Sequence, residues 1–272
     1  AGIGGLASAL LLAESGKKVA LFEKTARTGG RLGSSARDGF TVDYGVHLIS
    51  RGPKGPLIQL LERCGIEPGI EFTKVRPIQS TGGENFKFPH DLKGRVPDED
   101  FEAVIALVND IKNMSDEETH ALDDVTLEDP EYRLSAGEFA RCLKWEAEAR
   151  CSGYPSGGCV SITNAYMEGL ERYGVELHFG TPVERVVVED GTAVGIVAGG
   201  QEYRADMVVS NAGIKETVLD LAGAEHFPAD YVQRVQDLEI SFVSIIARFA
   251  LDTVISPDIK MLSNFSSMPP RE

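Results

Sequence analysis

An α/β fold follows from three features of the chain. A glycine-rich turn at the start feeds an apolar helix and then a short buried strand that ends in an acid. Near residue 160 a second helix leads into a second strand. Behind it come three short strand signals separated by Asp-Gly and Gly-Gly turns.

The first feature carries the most chemistry. Ala1-Gly2-Ile3-Gly4-Gly5-Leu6 becomes Gly-x-Gly-x-x-Gly with one glycine placed in front. The chain therefore reads as starting inside that motif, and the natural protein is expected to begin earlier. Leu6, Ala9, Leu10 and Ala13 follow at helical spacing, Gly16 closes the helix, and Val19-Ala20-Leu21-Phe22-Glu23 reads as a buried strand. A bare Gly2 lets a pyrophosphate approach the backbone, and Gly5 lets the helix sit close to its neighbour. The amides of Ile3, Gly4 and Gly5 open the helix, whose N-terminus favours anions. Glu23, about 20 residues on, is placed to accept from a ribose hydroxyl.

Composition bounds the partners. The 272 residues carry 27 Lys+Arg against 42 Asp+Glu, a net charge of −15, which is a poor match for nucleic acid or an anionic membrane. Cys64, Cys142, Cys151 and Cys159 have no Cys-x-x-Cys spacing and no histidine cluster, so neither a metal site nor a disulfide framework is expected. No apolar run reaches the roughly 18 residues of a spanning helix. The expectation is a cytoplasmic protein with at most peripheral membrane contact.

The segment Glu23-Lys24-Thr25-Ala26-Arg27-Thr28-Gly29-Gly30-Arg31 comes next. Asp38-Gly39, a hairpin turn signal, then precedes Asp43-Tyr44-Gly45-Val46-His47. In order and spacing these motifs resemble the FAD-dependent amine-oxidase-like superfamily, most closely its branch of phytoene desaturases, carotenoid isomerases and retinol saturases. The resemblance implies a Rossmann-like FAD-binding domain with a β-meander and an inserted α+β substrate domain. It implies FAD as cofactor, held by Gly2, Ile3, Gly4, Gly5, Glu23, Lys24 and Gly30, with the Arg31 fork along the pyrophosphate. Gly45, Val46 and His47 would line the flavin ring. His47 is the one candidate catalytic side chain, and its competing reading is a packed, inert histidine.

Farther along, Leu57, Leu60, Leu61 and Cys64 mark a helix closed by Gly65, and residues 66–94 read as short strands and loops. Phe101, Val104, Ile105, Val108 and Ile111 share a helix face. Thr126-Leu127-Glu128-Asp129 reads as a helix start cut short by Pro130, which suggests a missing segment between Asp129 and Pro130. Ser135-Ala136-Gly137-Glu138 is a capping box feeding Phe139, Cys142 and Leu143. Tyr154-Pro155-Ser156-Gly157-Gly158 matches a second signature of the same superfamily and opens a helix with Ile162, Ala165, Tyr166, Gly169 and Leu170 inward. Ser156 lacks the glycine two places before it that a nucleophile elbow needs.

The meander is expected over 186–189, 193–197 and 202–204. Residues 205–212 are expected to return to the parallel sheet, and Phe242–Leu251 to form a strand. By resemblance Val183 pairs its backbone with adenine, and Asn211 lies near the cofactor.

The domain boundaries that follow are 1–68 and 151–236 for the FAD domain, 69–150 for the insertion, and 237–272 for a return into it. The Gly-Asp motif that normally follows in relatives is absent. The function implied is hydride transfer between an apolar, polyene or isoprenoid-like small molecule and flavin N5. The alternatives are an amine- or porphyrinogen-type flavin oxidase and a non-catalytic, truncated module.

Overall fold

A computed structural model describes residues 1–45, 48–75, 78–81, 84–127, 134–239, 251–253 and 262–264. Val46, His47, the 129–130 junction and most of the strand expected over 242–251 lie outside the described residues.

The chain opens with α1 (Ile3–Glu14), β1 (Ala20–Glu23), a one-turn 3-10 helix at Gly30–Leu32, the hairpin β2 (Ser34–Arg37) and β3 (Phe40–Asp43), and α2 (Pro56–Arg63). Next come β4 (Phe72–Lys74), β5 (Ile78–Thr81), β6 (Glu84–Phe86), α3 (Asp98–Asn113), α4 (Asp116–His120), β7 (Thr126–Leu127), β8 (Leu134–Ser135) and α5 (Ala136–Ala149). Then follow β9 (Gly153–Pro155), α6 (Val160–Arg172), β10 (Glu176–Phe179), and the meander β11 (Val183–Glu189), β12 (Thr192–Ala198) and β13 (Gln201–Arg204). A π-helical stretch at Glu216–Leu221, α7 (Ala229–Asp237) and β14 (Leu262–Asn264) complete the described elements. These fall into two units, the first of Ala1–His47, Pro56–Glu71 and Pro155–Arg248, the second of Leu48–Gly55, Phe72–Tyr154 and Phe249–Glu272.

In the first unit β1 and β10 run parallel, with Leu21 beside Leu177 and Phe22 beside His178. The Phe22 and His178 rings stack at 4.3 Å and 3°. Helices α1, α2 and α6 form the core. Leu6 and Leu10 of α1, Leu61 of α2 and Ile162, Tyr166 and Leu170 of α6 are all fully buried. Truncating one such leucine to alanine typically costs about 2–5 kcal/mol. The helices approach closely at Gly169, where a methyl group would meet Leu10 Cδ1 at 3.0 Å. The hairpin turns at Asp38 (φ 51°) and Gly39 (φ 82°), a left-handed pair that matches the twist of its strands.

Two expectations for this unit meet different outcomes. The meander forms as read, each strand slightly longer. Residues 205–212 do not rejoin the parallel sheet: among the described residues β1 pairs only with β10, and Ala205–Ala212 run without a ladder partner. Met207 and Val209 stand exposed there.

In the second unit Ile49 and Gly153 exchange both backbone hydrogen bonds, at 3.0 and 3.2 Å. On helix α3 Phe101, Val104, Ile105 and Val108 are half-buried and Ile111 is buried, as one face. Ser115 and Glu118 form a reciprocal capping box on α4. Thr126–Leu127 is not a helix start but the strand β7, paired antiparallel with β8. Ser135 caps α5 as read, accepting from the Glu138 amide at 3.2 Å. Of the residues that follow this cap, Phe139 and Cys142 are exposed and Leu143 is half-buried. Gly137 and Ala140 are the buried positions of α5, with Arg141, Leu143 and Lys144 half-buried, and the helix meets the segment around α4 through polar contacts. A methyl at Gly137 would collide with the Asp123 carboxylate, Arg141 pairs with Asp123 at 2.7 Å, and Lys144 Nζ donates to the Met114 carbonyl at 2.8 Å.

Candidate dinucleotide-binding site

The site grows from the start of α1. Gly2 is the N-cap, with φ −68° and ψ 165°, and the first amides of the helix have no carbonyl one turn back. Three glycines leave bare backbone at this end. A Cβ would lie 3.0 Å from Asn211 Oδ1 at Gly2, 2.7 Å from Asn211 Nδ2 at Gly4, and 3.4 Å from Asn211 Cβ at Gly5. The Gly5 N–H donates to Asn211 Oδ1 at 3.0 Å.

The Gly29-Gly30 turn closes the other side. The Gly29 amide donates to the Ala1 carbonyl at 2.8 Å. Gly29 (φ 94°) and Gly30 (φ 54°) hold left-handed geometry, and a Cβ on Gly30 would come within 3.1 Å of Gly2 Cα. Only glycine combines that φ with that approach. Arg31 leaves this turn exposed, in the one-turn helix.

Glu23 ends β1 beside this cradle. Its carboxylate accepts from the Thr25 amide at 2.9 Å and from the Thr25 hydroxyl at 2.8 Å. Partial burial opposes ionisation, and the two Thr25 hydrogen bonds favour the charged carboxylate. Thr181 N–H donates to the Glu23 carbonyl at 3.0 Å, and Gly180 N–H to the Thr25 carbonyl at 2.9 Å. These bonds bring Val183, the first residue of β11, to the same end of the unit. Lys24 points to Glu216, 3.6 Å away, in an exposed ion pair.

The structure thus gathers Gly2, Ile3, Gly4, Gly5, Gly30 and Asn211 at one turn, with Glu23 beside it and Val183 tied to it through backbone. Gly45 lies two residues past the end of β3 and is half-buried. Two features go beyond the residues singled out from sequence. Thr25 fixes the Glu23 carboxylate, and a polar residue two places after the acid is the signal for it. Asp43 and Ser34 face each other across the hairpin and together meet the first amides of α6. Asp43 Oδ1 accepts from Cys159 N–H at 2.9 Å, and Ser34 Oγ from Val160 N–H at 3.0 Å. Counting outward from the Asp38-Gly39 turn pairs these two residues.

A dinucleotide needs bare backbone for its pyrophosphate, donors facing it and an acid for a ribose hydroxyl. The glycine turn, the open amides of α1 and Glu23 meet those needs, so the residues present fit such a group.

Comparison with known proteins agrees. Residues 1–64 match the family described as NAD(P)-binding Rossmann-like domain. Prolycopene isomerase 2, chloroplastic, of an Oncidium hybrid cultivar is 26% identical over 84% of this chain and 50% of its own length. The 4,4'-diapolycopen-4-al dehydrogenase of Metabacillus indicus is 25% identical over 93% of this chain and 61% of its own. An oxidoreductase from Methanosarcina mazei has the same fold, with a TM-score of 0.73 at 24% identity over 88% of this chain and 64% of that one. The chain spans about half to three-fifths of the length of these curated relatives. Among the described residues no helix is long and apolar enough to cross a membrane.

Proposed function

We propose that this chain, a relative of the carotenoid desaturases and isomerases in the FAD-dependent amine-oxidase-like superfamily, holds FAD within an oxidoreductase acting on an apolar, polyene or isoprenoid-like small molecule. The observation that carries the cofactor assignment is the cradle itself: Gly30 against Gly2, the open amides of α1 above it, and Glu23 at the end of β1. The printed names of the relatives support the substrate class.

Each residue then has a task. Ile3 and Gly4 offer amides to the pyrophosphate, and Gly2 and Gly30 keep its path free of side chains. Arg31 adds a planar cationic fork for phosphate oxygens. Glu23, ionised and fixed by Thr25, accepts from a ribose hydroxyl, with Lys24 beside it. Val183 faces the adenine with its backbone, and Asn211 borders the pyrophosphate. Gly45, Val46 and His47 border the flavin ring. Bound FAD supplies the capacity to take or give a hydride, which no amino-acid side chain has.

Flavin uptake tests the reading. The purified chain is expected to be yellow, or to become so with added FAD, with the absorbance bands of a bound flavin. A chain that stays colourless and takes up no FAD is instead a binding or scaffold module on this fold.

A further inference from the structure

Asn211 lies far outside the segment that matches the dinucleotide-binding family, yet it is the side chain against Gly2, Gly4 and Gly5. Its place is fixed locally. Ser210 Oγ accepts from the Ala212 amide at 3.3 Å and shares a 2.7 Å hydrogen bond with Thr217 Oγ1. The Thr217 amide in turn donates to the Gly213 carbonyl at 2.7 Å. Asn211 uses its carbonyl oxygen on the Gly5 amide. Its amide nitrogen lies over Gly4, and among the described residues nothing accepts from it.

An aspartate would fill the same volume, make the same bond to Gly5 and suit the positive end of a helix better. The chain carries the neutral residue instead. On the reading that this turn holds the pyrophosphate of FAD, we infer that Asn211 contacts the cofactor directly and keeps the α1 N-terminus capped but uncharged. Its oxygen satisfies Gly5, its NH2 group donates to a phosphate oxygen, and its neutrality leaves the helix field available to a dianion. A carboxylate there would withdraw the donor and repel the phosphates at short range.

The test compares the wild-type chain with Asn211→Asp and Asn211→Ala. FAD and ADP affinities are measured for each, along with the melting temperature of the flavin-free protein. Asn211→Asp is expected to melt at or above the wild-type temperature and to bind FAD and ADP at least about tenfold more weakly, the deficit narrowing in high salt. Asn211→Ala is expected to melt lower and to lose only a few-fold in affinity. Wild-type affinity in Asn211→Asp overturns the inference while leaving the FAD reading intact. So does a fall in melting temperature equal to that of Asn211→Ala, which makes the residue merely structural. Failure of the wild-type chain to bind either ligand overturns the FAD reading, and the inference with it.

Discussion

Two helix N-termini of the first unit solve the same problem in opposite ways. Each helix begins with amides that have no carbonyl one turn back. At α6 the protein fills them itself: Asp43 takes the Cys159 amide, Ser34 takes the Val160 amide, and the two side chains bond each other. At α1 a single neutral side chain takes a single amide, and the surrounding positions are glycine. A carboxylate with a supporting hydroxyl closes a helix end and makes it part of the scaffold. A neutral amide ringed by bare backbone leaves a helix end open to an anion from outside. The pattern around an N-terminus, more than the N-terminus itself, separates a structural helix from a binding one.

The largest effect is expected where the open end is blocked. Gly2 has an ordinary φ, so valine there does not strain the backbone, but its Cβ would press on Asn211 Oδ1 at 3.0 Å and its methyl groups would occupy the space over the turn. Gly2→Val is expected to abolish FAD retention, read from the flavin absorbance of the purified protein. A normal flavin content would remove the cradle from the binding site.

Opening the closed end should act on the fold instead. Asp43→Ala strands the Cys159 amide and the Ser34 hydroxyl and is expected to cost about 1–2 kcal/mol. For a chain of this size that lowers the melting temperature by about 2–8 °C. FAD affinity of the folded variant should stay close to wild type. If it lost FAD without losing stability, the two helix ends would not divide as described.

The smallest effect lies on the buried face of α6. The Tyr166 hydroxyl donates to the Leu57 carbonyl at 2.8 Å, and burial pushes its pKa from 10.0 up to about 12. The folded value lies above the unfolded one, so the contribution is complete below pH 10 and is lost as pH rises toward 12. Tyr166→Phe is expected to cost about 1 kcal/mol at neutral pH. It should also flatten the fall in stability above pH 10, measured by melts across that range. An alkaline limb as steep as wild type would assign the loss to other groups.

Local pattern made much of this legible. The inward face of α6, the Asp38-Gly39 hairpin and the three-stranded meander each rest on periodicity or turn chemistry within about a dozen residues. What local pattern missed shares a cause as well. Thr126 followed by an acid three places on fits a helix cap, but a pairing with Leu134–Ser135 made it a strand. On α5 the apolar Phe139 and Cys142 face water while Arg141 and Lys144 turn in, since the segment around α4 offers acids and carbonyls to pair with. The Asn211 contact spans 206 residues of sequence to Gly5, and no local signal reaches that far. The cap on α6 joins Asp43 to Cys159 in the same way, although its hairpin half could be counted from the turn.

The contact at Gly169 has a dynamic consequence. With no side chain at Gly169, α6 packs directly on Leu10 of α1 and on Ile66 just past α2, and α1 and α6 cannot separate without exposing Leu10. The two helices then form one cooperative opening unit, their slowest-exchanging amides sharing one free energy. Whatever occupies the first turn of α1 adds its binding free energy to that shared barrier. Ligation at one end of the unit would therefore slow amide exchange along α6, a helix that the ligand need not touch.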